Sequence, residues 1–284
     1  MKILVLGCNG MAGHVITQYL KEKGHNVYGL ALTQSDALDK EHMFVVDATN
    51  FEELDKIIIE NTFDYIINCV GILNQQTEVN KSLSITINSL LPHHLVKIVD
   101  NLETRVIHMS TDCVFSGKDG AYNENAIPDS TTFYGKTKSI GEIADSKNLT
   151  IRTSIVGPDI NVNGIGLFGW FMKQSGNING YTKAIWSGVT TIELAKIMEL
   201  CMINKCAGLV NMVNNEPIAK YDLLHLFKKY FNRDDININK YDAFAEDKTL
   251  IRTNFELDYK VPSYEQMIKE MAEWVSNHKD IYNY

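Results

Sequence analysis

Three side chains in one segment of this chain suit proton transfer to a carbonyl oxygen. Thr111 ends an apolar run, and Tyr134 and Lys138 follow it with a spacing of four. Residues four apart share one face of a helix, so the lysine ammonium can approach the phenol. A nearby positive charge lowers the pKa of a phenol from its ordinary value of about 10. The pattern predicts that Tyr134 protonates a carbonyl oxygen held by Thr111 while a hydride donor reduces the carbon.

A tyrosine and a lysine four residues apart are weak evidence for catalysis unless the preceding residues also fit. The chain contains 13 tyrosines, and Tyr19 and Lys23 have the same spacing. That second pair falls in the first predicted helix and has no hydroxyl residue at a strand end before it. Tyr134 and Lys138 follow such a hydroxyl, and Lys138 is also placed to bind the ribose of a nicotinamide dinucleotide. We therefore take the later pair as the catalytic candidate.

The start of the chain predicts a binding site for the phosphates of such a dinucleotide. A short apolar strand, Lys2 to Leu6, runs directly into Gly7, Gly10 and Gly13, and a helix follows. Glycines at a strand-to-helix turn let the backbone approach a pyrophosphate, and the free N–H groups of the helix start bind its charge. The position between the first strand and the first helix is what this mechanism requires.

The first half of the chain alternates between strand-like and helix-like patterns. Such alternation predicts a parallel sheet covered on both faces, with ligands beyond the carboxyl ends of its strands. We identify each element from its apolar period. The predicted strands are 2–6, 26–30, 43–46, 65–70, 105–109, 149–152 and 209–213, and the predicted helices are 51–60, 80–101, 191–204, 221–231 and one from Ser263, with an alternating run at 236–239.

These elements predict the α/β class, with a Rossmann-type doubly wound parallel sheet and a smaller C-terminal α+β lobe that binds the substrate. Residues 1–157 form the dinucleotide-binding domain, and 186–215 return to it. Residues 158–185 and 216–284 form the lobe, because the strand and helix rhythm breaks after residue 157 into a glycine-rich, aromatic stretch.

Composition excludes several classes of function. The net charge of −8 disfavours nucleic acid as a partner, because binding phosphate chains needs clustered basic residues. The five cysteines form no disulfide pattern and no metal-ligand spacing, and no apolar run is long enough to cross a membrane. We expect a cytoplasmic protein without a metal or membrane partner.

Four segments carry a resemblance to a known family: GCNGMAG, STDCVFSG, YGKTKSIGE and IRTSIVG. They resemble the extended short-chain dehydrogenase/reductase family, and within it the nucleotide-sugar 4-ketoreductases such as the dTDP-4-dehydrorhamnose reductases. The resemblance implies NAD(P)H-dependent reduction of the C4 ketone of a nucleotide-activated 4-keto-6-deoxy sugar, in the synthesis of surface polysaccharide precursors. It implies Thr111, Tyr134 and Lys138 as the catalytic residues and a nucleotide-diphosphate sugar as the binding partner. A homodimer is possible.

The same resemblance implies the residues that hold the dinucleotide. Besides the three glycines and the catalytic tyrosine and lysine, they are Asn9, Met11, Asp47, Ala48, Cys69, Val70 and Gly71, with Asp47 as the acid that contacts adenine. An acidic residue at the end of the second strand would bind the ribose of NAD, and residues 31–35 contain none. Thr33 can contact a 2′-phosphate, so we favour NADP(H), with NAD(H) possible.

Candidates for the sugar nucleotide come from three regions. Asp112, Cys113 and Val114 follow the catalytic threonine. Further along the chain, segment 182–188 resembles a loop that wraps the diphosphate. The other candidates are Trp170, Lys183, Trp186, Lys248 and Arg252. The alternatives stay open: Trp170 is a sugar platform or a core residue, and each cation contacts the diphosphate or is a solvated surface charge.

The residues after Thr111 also separate reactions within the family. Related dehydratases carry Asp-Glu there, and this chain has Asp112-Cys113, which disfavours dehydration. In a related epimerase-reductase, a cysteine at this position abstracts a proton, so Cys113 is either such a base or an inert packed thiol. The alternatives to simple reduction are therefore a bifunctional 3,5-epimerase/4-reductase using Cys113 and a non-catalytic NAD(P)-binding regulatory subunit.

Overall fold

A computed structural model describes residues 1–161, 164–253, 257–282 and 284. Its centre is a parallel sheet of seven strands with the order β10-β6-β5-β4-β1-β2-β3, which confirms the predicted Rossmann-type fold. The strands of the whole chain are β1 (Lys2–Leu6), β2 (Asn26–Ala31), β3 (Met43–Val45), β4 (Tyr65–Asn68), β5 (Arg105–Thr111), β6 (Leu149–Thr153), β7 (Ile155–Val156), β8 (Gly176–Trp186), β9 (Val189–Thr190), β10 (Gly208–Asn211), β11 (Ile218–Ala219) and β12 (Ile236–Asp247).

Helices cover both faces of this sheet. Alternate residues of β1 divide between two hydrophobic cores: Ile3 and Val5 belong to one, and Leu4 and Leu6 to the other. A strand whose successive side chains are all apolar is therefore buried on both sides. The helices are α1 (Met11–Glu22), α2 (Phe51–Asn61), α3 (Gln76–Val79), α4 (Lys81–Ile85), α5 (Leu91–Ile98), α6 (Phe133–Ile140), α7 (Leu167–Met172), α8 (Thr191–Ile203), α9 (Lys220–Tyr230) and α10 (Tyr264–Asn277).

The last helix begins as the sequence predicts. The Ser263 hydroxyl accepts a hydrogen bond from the Gln266 backbone N–H at 3.3 Å. Such a cap satisfies one of the N–H groups that have no partner within the helix. No helix in the described ranges is both long enough and apolar enough to cross a membrane.

The segment predicted as a single helix over 80–101 is interrupted in its middle. A π-helical turn, Thr86–Leu90, separates α4 from α5. Within it Asn88 is buried, and its side chain accepts a hydrogen bond from the Ile72 N–H and donates to the Ile72 carbonyl, each at 2.9 Å. The same amide donates to the Thr137 hydroxyl at 3.1 Å. Turns of this kind widen a helix locally and are frequent at functional sites.

A second, three-stranded sheet has the order β11-β8-β12, and its strand β8 was not predicted. Strand β10 pairs with β6 in the central sheet, as expected for residues returning from the C-terminal half. The division of the chain into two lobes remains a prediction. Residues 162–163, 254–256 and 283 of the predicted lobe lie outside the described residues.

Candidate active site

Two adjoining cavities open beyond the carboxyl ends of the sheet strands. The first, about 490 Å³ and here called the inner cavity, is lined by Thr111, Tyr134 and Lys138 among others. The second, about 360 Å³ and called the outer cavity, is lined by Gly7 and by the ends of β2 and β3. The residues shared by both cavities are Gly10, Cys69, Val70 and Gly71. The predicted catalytic set and the predicted phosphate loop therefore meet at one place.

The loop between β1 and α1 has the close backbone packing that a dinucleotide site needs. Gly7 has φ of +77°, a left-handed conformation that side chains other than glycine rarely adopt. A Cβ atom added at Gly13 would lie 2.0 Å from the Gly7 carbonyl oxygen, so only glycine fits there. The resulting turn leaves the start of α1 open to the inner cavity through Gly10 and Met11. These residues fit a pyrophosphate at a helix N-terminus.

The outer cavity has the residues expected at the adenosine end. Thr33, Asp47 and Ala48 line it. The Asn9 side chain donates hydrogen bonds to the Thr33 carbonyl at 3.0 Å and to its hydroxyl at 3.2 Å, and so fixes the end of β2 beside the loop. Asp47 accepts hydrogen bonds from the N–H and the hydroxyl of Thr49.

Thr111 ends β5 and starts a tight turn. Its hydroxyl accepts a hydrogen bond from the Cys113 N–H at 3.1 Å and donates to Asp112 at 3.0 Å. The hydroxyl thereby caps the 3₁₀ turn Asp112–Val114, which turns the chain away from the sheet at the floor of the inner cavity.

Helix α6 packs directly on this turn because of one glycine. A Cβ atom at Gly135 would lie 2.1 Å from the Cys113 carbonyl oxygen. The helix begins at a cap in which the Thr132 hydroxyl accepts a hydrogen bond from the Gly135 N–H at 3.0 Å. The cap and the glycine together bring Tyr134 beside Thr111, and this tyrosine is half-buried in the wall of the inner cavity.

The electrostatics of Tyr134 differ from the prediction. Burial raises the pKa of its phenol, the charges of Cys113 and Asp112 raise it further, and a hydrogen bond with Thr111 lowers it. Lys138 is not among the groups that shift this pKa, and its Nζ donates instead to the Met109 carbonyl. The expectation that Lys138 lowers the pKa of Tyr134 is therefore not met in this structure, and the phenol holds its proton at neutral pH.

Lys138 is buried, only 4% exposed, and its Nζ donates to the Met109 carbonyl at 2.6 Å. Burial disfavours an ammonium ion and lowers the pKa of this lysine to about 8. Its amine and ammonium forms therefore both exist near neutral pH.

The predicted substrate residues after Thr111 differ in whether they reach the inner cavity. Cys113 lines the inner cavity, and burial raises the pKa of its thiol to about 12. Burial also raises the pKa of the Asp112 carboxyl. Val114, in contrast, is fully buried in a core cluster with Phe115. Its assignment to the substrate is not supported, because no surface of it is accessible.

The two predicted tryptophans do not line either cavity. Trp186 is 6% exposed and packs against Tyr264 with ring centroids 5.4 Å apart. It is a core residue, and its assignment to the substrate needs correction, since β8 directs its side chain inward. Trp170 lies on α7 and is 40% exposed. Of the two alternatives for this tryptophan, a core residue or a sugar platform, the exposure rules out the core residue.

The predicted cations are mostly engaged elsewhere. Lys183 lies exposed on β8 opposite Ala245. Arg252 donates hydrogen bonds to the Tyr259 carbonyl and to Met212. Lys248 pairs with Glu246 at 2.7 Å, yet its charge acts on both Asp112 and Cys113, which places it near the inner cavity.

Sequence reasoning missed a third cation at the site. Lys220, the first residue of α9, lines the inner cavity together with Thr111 and Tyr134, and its charge acts on Asp112. Asp159 also lines this cavity and was not predicted. No local pattern in the sequence marks these residues, since they reach the cavity only through the packing of α9 and of the chain after β7.

The second tyrosine–lysine pair lies away from both cavities. The Tyr19 hydroxyl donates to Glu199 of α8 at 2.9 Å, and the Lys23 ammonium lies 5.3 Å from the Tyr19 ring centroid. Within the described ranges, no group of three or more His, Cys, Asp or Glu side chains could hold a metal ion.

The chain has a parallel sheet with the strand order given above, a phosphate loop built from glycines, and a Thr-Tyr-Lys set at the carboxyl edge of the sheet. These features define a protein of the extended short-chain dehydrogenase/reductase class. The family model described as RmlD substrate binding domain matches residues 1–164. The chain belongs to this family.

Individual proteins resemble the chain over different lengths. A "Probable low-salt glycan biosynthesis reductase Agl14" of Haloferax volcanii is 34% identical over 146 residues, which are 51% of this chain and 48% of that protein. The matched part of the chain thus spans about half the length of the curated relatives.

Solved structures resemble the chain over nearly its whole length. A dTDP-4-dehydrorhamnose reductase of Clostridium acetobutylicum superposes with a TM-score of 0.80 at 21% identity, covering 97% of this chain and 100% of that one. The Bacillus anthracis dTDP-4-dehydrorhamnose reductase, solved with NADP, gives 0.79 at 20% identity and covers 95% of this chain and 98% of that one. At these identities the likeness concerns the fold.

Proposed function

We propose that this protein reduces the C4 ketone of a nucleotide-activated 4-keto-6-deoxy sugar for surface polysaccharide precursors. NADP(H) is the favoured dinucleotide and NAD(H) the alternative. The observation that carries the proposal is the inner cavity, where Thr111, Tyr134 and Lys138 lie together with Gly10 of the phosphate loop. The reductase names of the relatives support the substrate class.

Each residue of this set has a defined task in the proposal. The Thr111 hydroxyl holds the carbonyl oxygen, and Tyr134 delivers its phenolic proton to that oxygen. A buried phenol with a raised pKa keeps this proton until the oxygen becomes basic. The dinucleotide, bound along the Gly7–Gly13 loop, supplies the reducing equivalent.

The anionic end of the substrate is bound by cations in this proposal. Lys220 lines the inner cavity, and the charges of Lys220 and Lys248 both act on the Asp112 carboxyl. A nucleotide diphosphate between them would receive charge-assisted hydrogen bonds. The outer cavity, with Thr33 and Asp47, takes the adenosine part of the dinucleotide.

The test is oxidation of NADPH, and separately of NADH, by purified protein with a panel of nucleotide-linked 4-keto-6-deoxy sugars. We expect turnover with at least one of them. The Tyr134→Phe variant removes only the phenolic hydroxyl and should lower kcat about 10²–10⁴-fold, the usual contribution of a general acid. The matched Tyr19→Phe variant, from the other tyrosine–lysine pair, should keep full activity. Absence of turnover with every sugar, with dinucleotide still bound, would favour the regulatory subunit.

The epimerase-reductase alternative depends on Cys113. This cysteine lines the inner cavity, beside the place where the sugar would lie. Its pKa, raised to about 12, leaves the thiol protonated at neutral pH, which counts against a base. Solvent deuterium uptake at C3 and C5 that is unchanged in Cys113→Ser would exclude the alternative.

The homodimer stays a prediction. Light scattering of the purified protein measures its mass in solution and tests it.

A further inference from the structure

The segment after α10 is joined to the phosphate loop by three hydrogen bonds in series. The Trp274 indole N–H donates to the Tyr282 hydroxyl oxygen at 2.9 Å. That oxygen lies 2.9 Å from His14 Nε2, and His14 Nδ1 lies 2.9 Å from the Gly10 carbonyl oxygen. The three side chains are all buried. The series therefore runs through the protein interior and ends in the loop that fits a pyrophosphate.

The two ends of this series determine the direction of every hydrogen bond in it. A carbonyl oxygen can only accept, so His14 Nδ1 carries the proton that is donated to Gly10. Burial lowers the pKa of His14 to about 4, so the imidazole is neutral at pH 7 and has one N–H. Nε2 therefore accepts from the Tyr282 hydroxyl. The indole N–H at the other end can only donate, and the Tyr282 oxygen accepts from it.

The Gly10 carbonyl accepts a second hydrogen bond from the same histidine. The His14 backbone N–H donates to it at 2.9 Å, as an ordinary bond of the first turn of α1. A peptide group is planar and trans, so the Gly10 carbonyl and the Met11 N–H point in opposite directions. The first N–H groups of a helix have no partner within it. Fixing the carbonyl therefore aims the Met11 N–H out of the helix start, where Gly10 and Met11 line the inner cavity.

We propose that His14, oriented by Tyr282, is a positioning residue that holds the Gly10–Met11 peptide in the direction that binds the dinucleotide pyrophosphate. Without the Nδ1–H, this peptide keeps only the helical hydrogen bond, and helix ends fray. The loop then has the binding conformation in a smaller fraction of molecules, and the affinity falls with that fraction. This effect on binding rests on the proposed function, whereas the hydrogen bonds do not.

The end of α10 also contacts the other end of α1. His278 Nε2 lies 2.7 Å from a carboxylate oxygen of Glu22, the last residue of α1. The His278 ring stacks on Trp274 with centroids 4.1 Å apart. A variant that lacks only the Tyr282 hydroxyl keeps these contacts, so α10 should stay in place against α1.

The tautomer of His14 is measured on the unmodified protein without ligand. Long-range proton–nitrogen NMR spectra distinguish a protonated ring nitrogen from an unprotonated one, and the His14 signals are assigned by their loss in His14→Asn. We expect the proton on Nδ1. A proton on Nε2 would overturn the proposal, because Nδ1 would then have nothing to donate to Gly10.

Affinity is measured with NADP⁺ by titration calorimetry, which also gives the fraction of the protein that binds. Tyr282→Phe should raise the Kd about 3–10-fold, the equivalent of one hydrogen bond, at unchanged stoichiometry. Tyr65→Phe is the matched control, because the Tyr65 hydroxyl is buried and donates to the Met202 carbonyl at 2.8 Å. Tyr65 begins β4, at the end of the sheet opposite the cavities, so this variant should keep the original Kd. Equal Kd values in the two variants would overturn the proposal.

Two substitutions at His14 separate its hydrogen-bond donor from its bulk. The amide nitrogen of an asparagine can take the place of Nδ1 and donate to Gly10, whereas that of a glutamine reaches the place of Nε2. His14→Gln should therefore raise the Kd about 10-fold, and His14→Asn should raise it less. Equal values, or the reverse order, would overturn the proposal.

The same titrations separate this proposal from the proposed function. If the unmodified protein binds neither NADP⁺ nor NAD⁺, the proposed function is wrong and the role of His14 in binding is wrong with it. If the unmodified protein binds and the variants show no contrast, the proposed function stands and the role of His14 alone is wrong.

Discussion

Arg152 and Glu142 form a two-bond ion pair next to Ser110, the residue before Thr111. Arg152 Nε and Nη2 donate to the two carboxylate oxygens of Glu142 at 2.7 and 2.6 Å. The Ser110 hydroxyl donates to the same carboxylate at 2.6 Å. Because Ser110 belongs to β5 and Arg152 to β6, while Glu142 follows the end of α6 by two residues, this carboxylate ties the two strands to the segment after that helix.

Removing the charge of Glu142 should therefore destabilise the protein. Glu142→Gln leaves the Arg152 guanidinium, 3% exposed as a residue, without its carboxylate. Breaking a buried pair in this way costs about 3–5 kcal/mol, measured as a lower free energy of unfolding in urea. The control is Glu265→Gln at the exposed Lys229–Glu265 pair, which should change stability much less. Equal losses in the two variants would show that burial of the pair contributes nothing.

The contact between Gly135 and the Cys113 carbonyl gives a second prediction. Gly135→Ala forces α6 away from the turn, since its Cβ would lie 2.1 Å from that oxygen. We expect a loss of about 1–3 kcal/mol in unfolding free energy, as for other overpacked positions, and a lower kcat because Tyr134 moves with the helix. Gly169→Ala in α7, where the nearest atom would be 4.0 Å away, should keep both. A fully active Gly135→Ala would show that the helix position is not critical.

Lys220, which lines the inner cavity, can be compared with Lys183, the sequence candidate for the diphosphate that lies outside it. Lys220→Gln should raise KM for the sugar nucleotide about 10–100-fold, the range for a hydrogen bond to a charged group, with a smaller change in kcat. Lys183→Gln removes the same charge from an exposed strand outside the cavity and should leave KM unchanged. If only Lys183→Gln raises KM, the diphosphate follows β8 instead of the inner cavity.

The cysteines should differ in their reactivity toward alkylating agents. The Cys113 thiol, with a pKa of about 12, carries almost no thiolate at pH 7.5, and its labelling should increase tenfold for each pH step until that pKa. The half-buried Cys206 has its pKa lowered by a hydrogen bond with Cys201, so it should be labelled first. Peptide mass spectrometry after a short iodoacetamide pulse measures the order. Rapid labelling of Cys113 at neutral pH would revive the epimerase hypothesis.

Local sequence patterns were sufficient for the central sheet. The strands of the first half are continuous apolar runs, and the phosphate loop and the Ser263 cap are each signalled within a few residues. Thr111, Tyr134 and Lys138 lie in one cavity because two such local elements, β5 and α6, adjoin in the fold. Their catalytic roles remain predictions.

The features that sequence patterns missed depend on contacts between distant segments. Strand β8 starts with Gly176 and Asn177, which disfavour strands, and it forms through pairing with β12 and packing against α9. Lys220 reaches the inner cavity because of how α9 is placed, and Trp186 is drawn into the core by the same sheet. The Lys138 ammonium group contacts His108 and the Met109 carbonyl, which lie 30 and 29 residues before it in the chain.

The buried amide of Asn88 connects two walls of the site that belong to different parts of the chain. It holds Ile72, next to the segment shared by both cavities, and Thr137, on the helix that carries Tyr134 and Lys138. A local opening of either wall would leave this amide unpaired in the protein interior, at a cost of about 1–3 kcal/mol. We therefore expect the two walls to open as one cooperative unit, with a single opening free energy measured by amide hydrogen exchange in both.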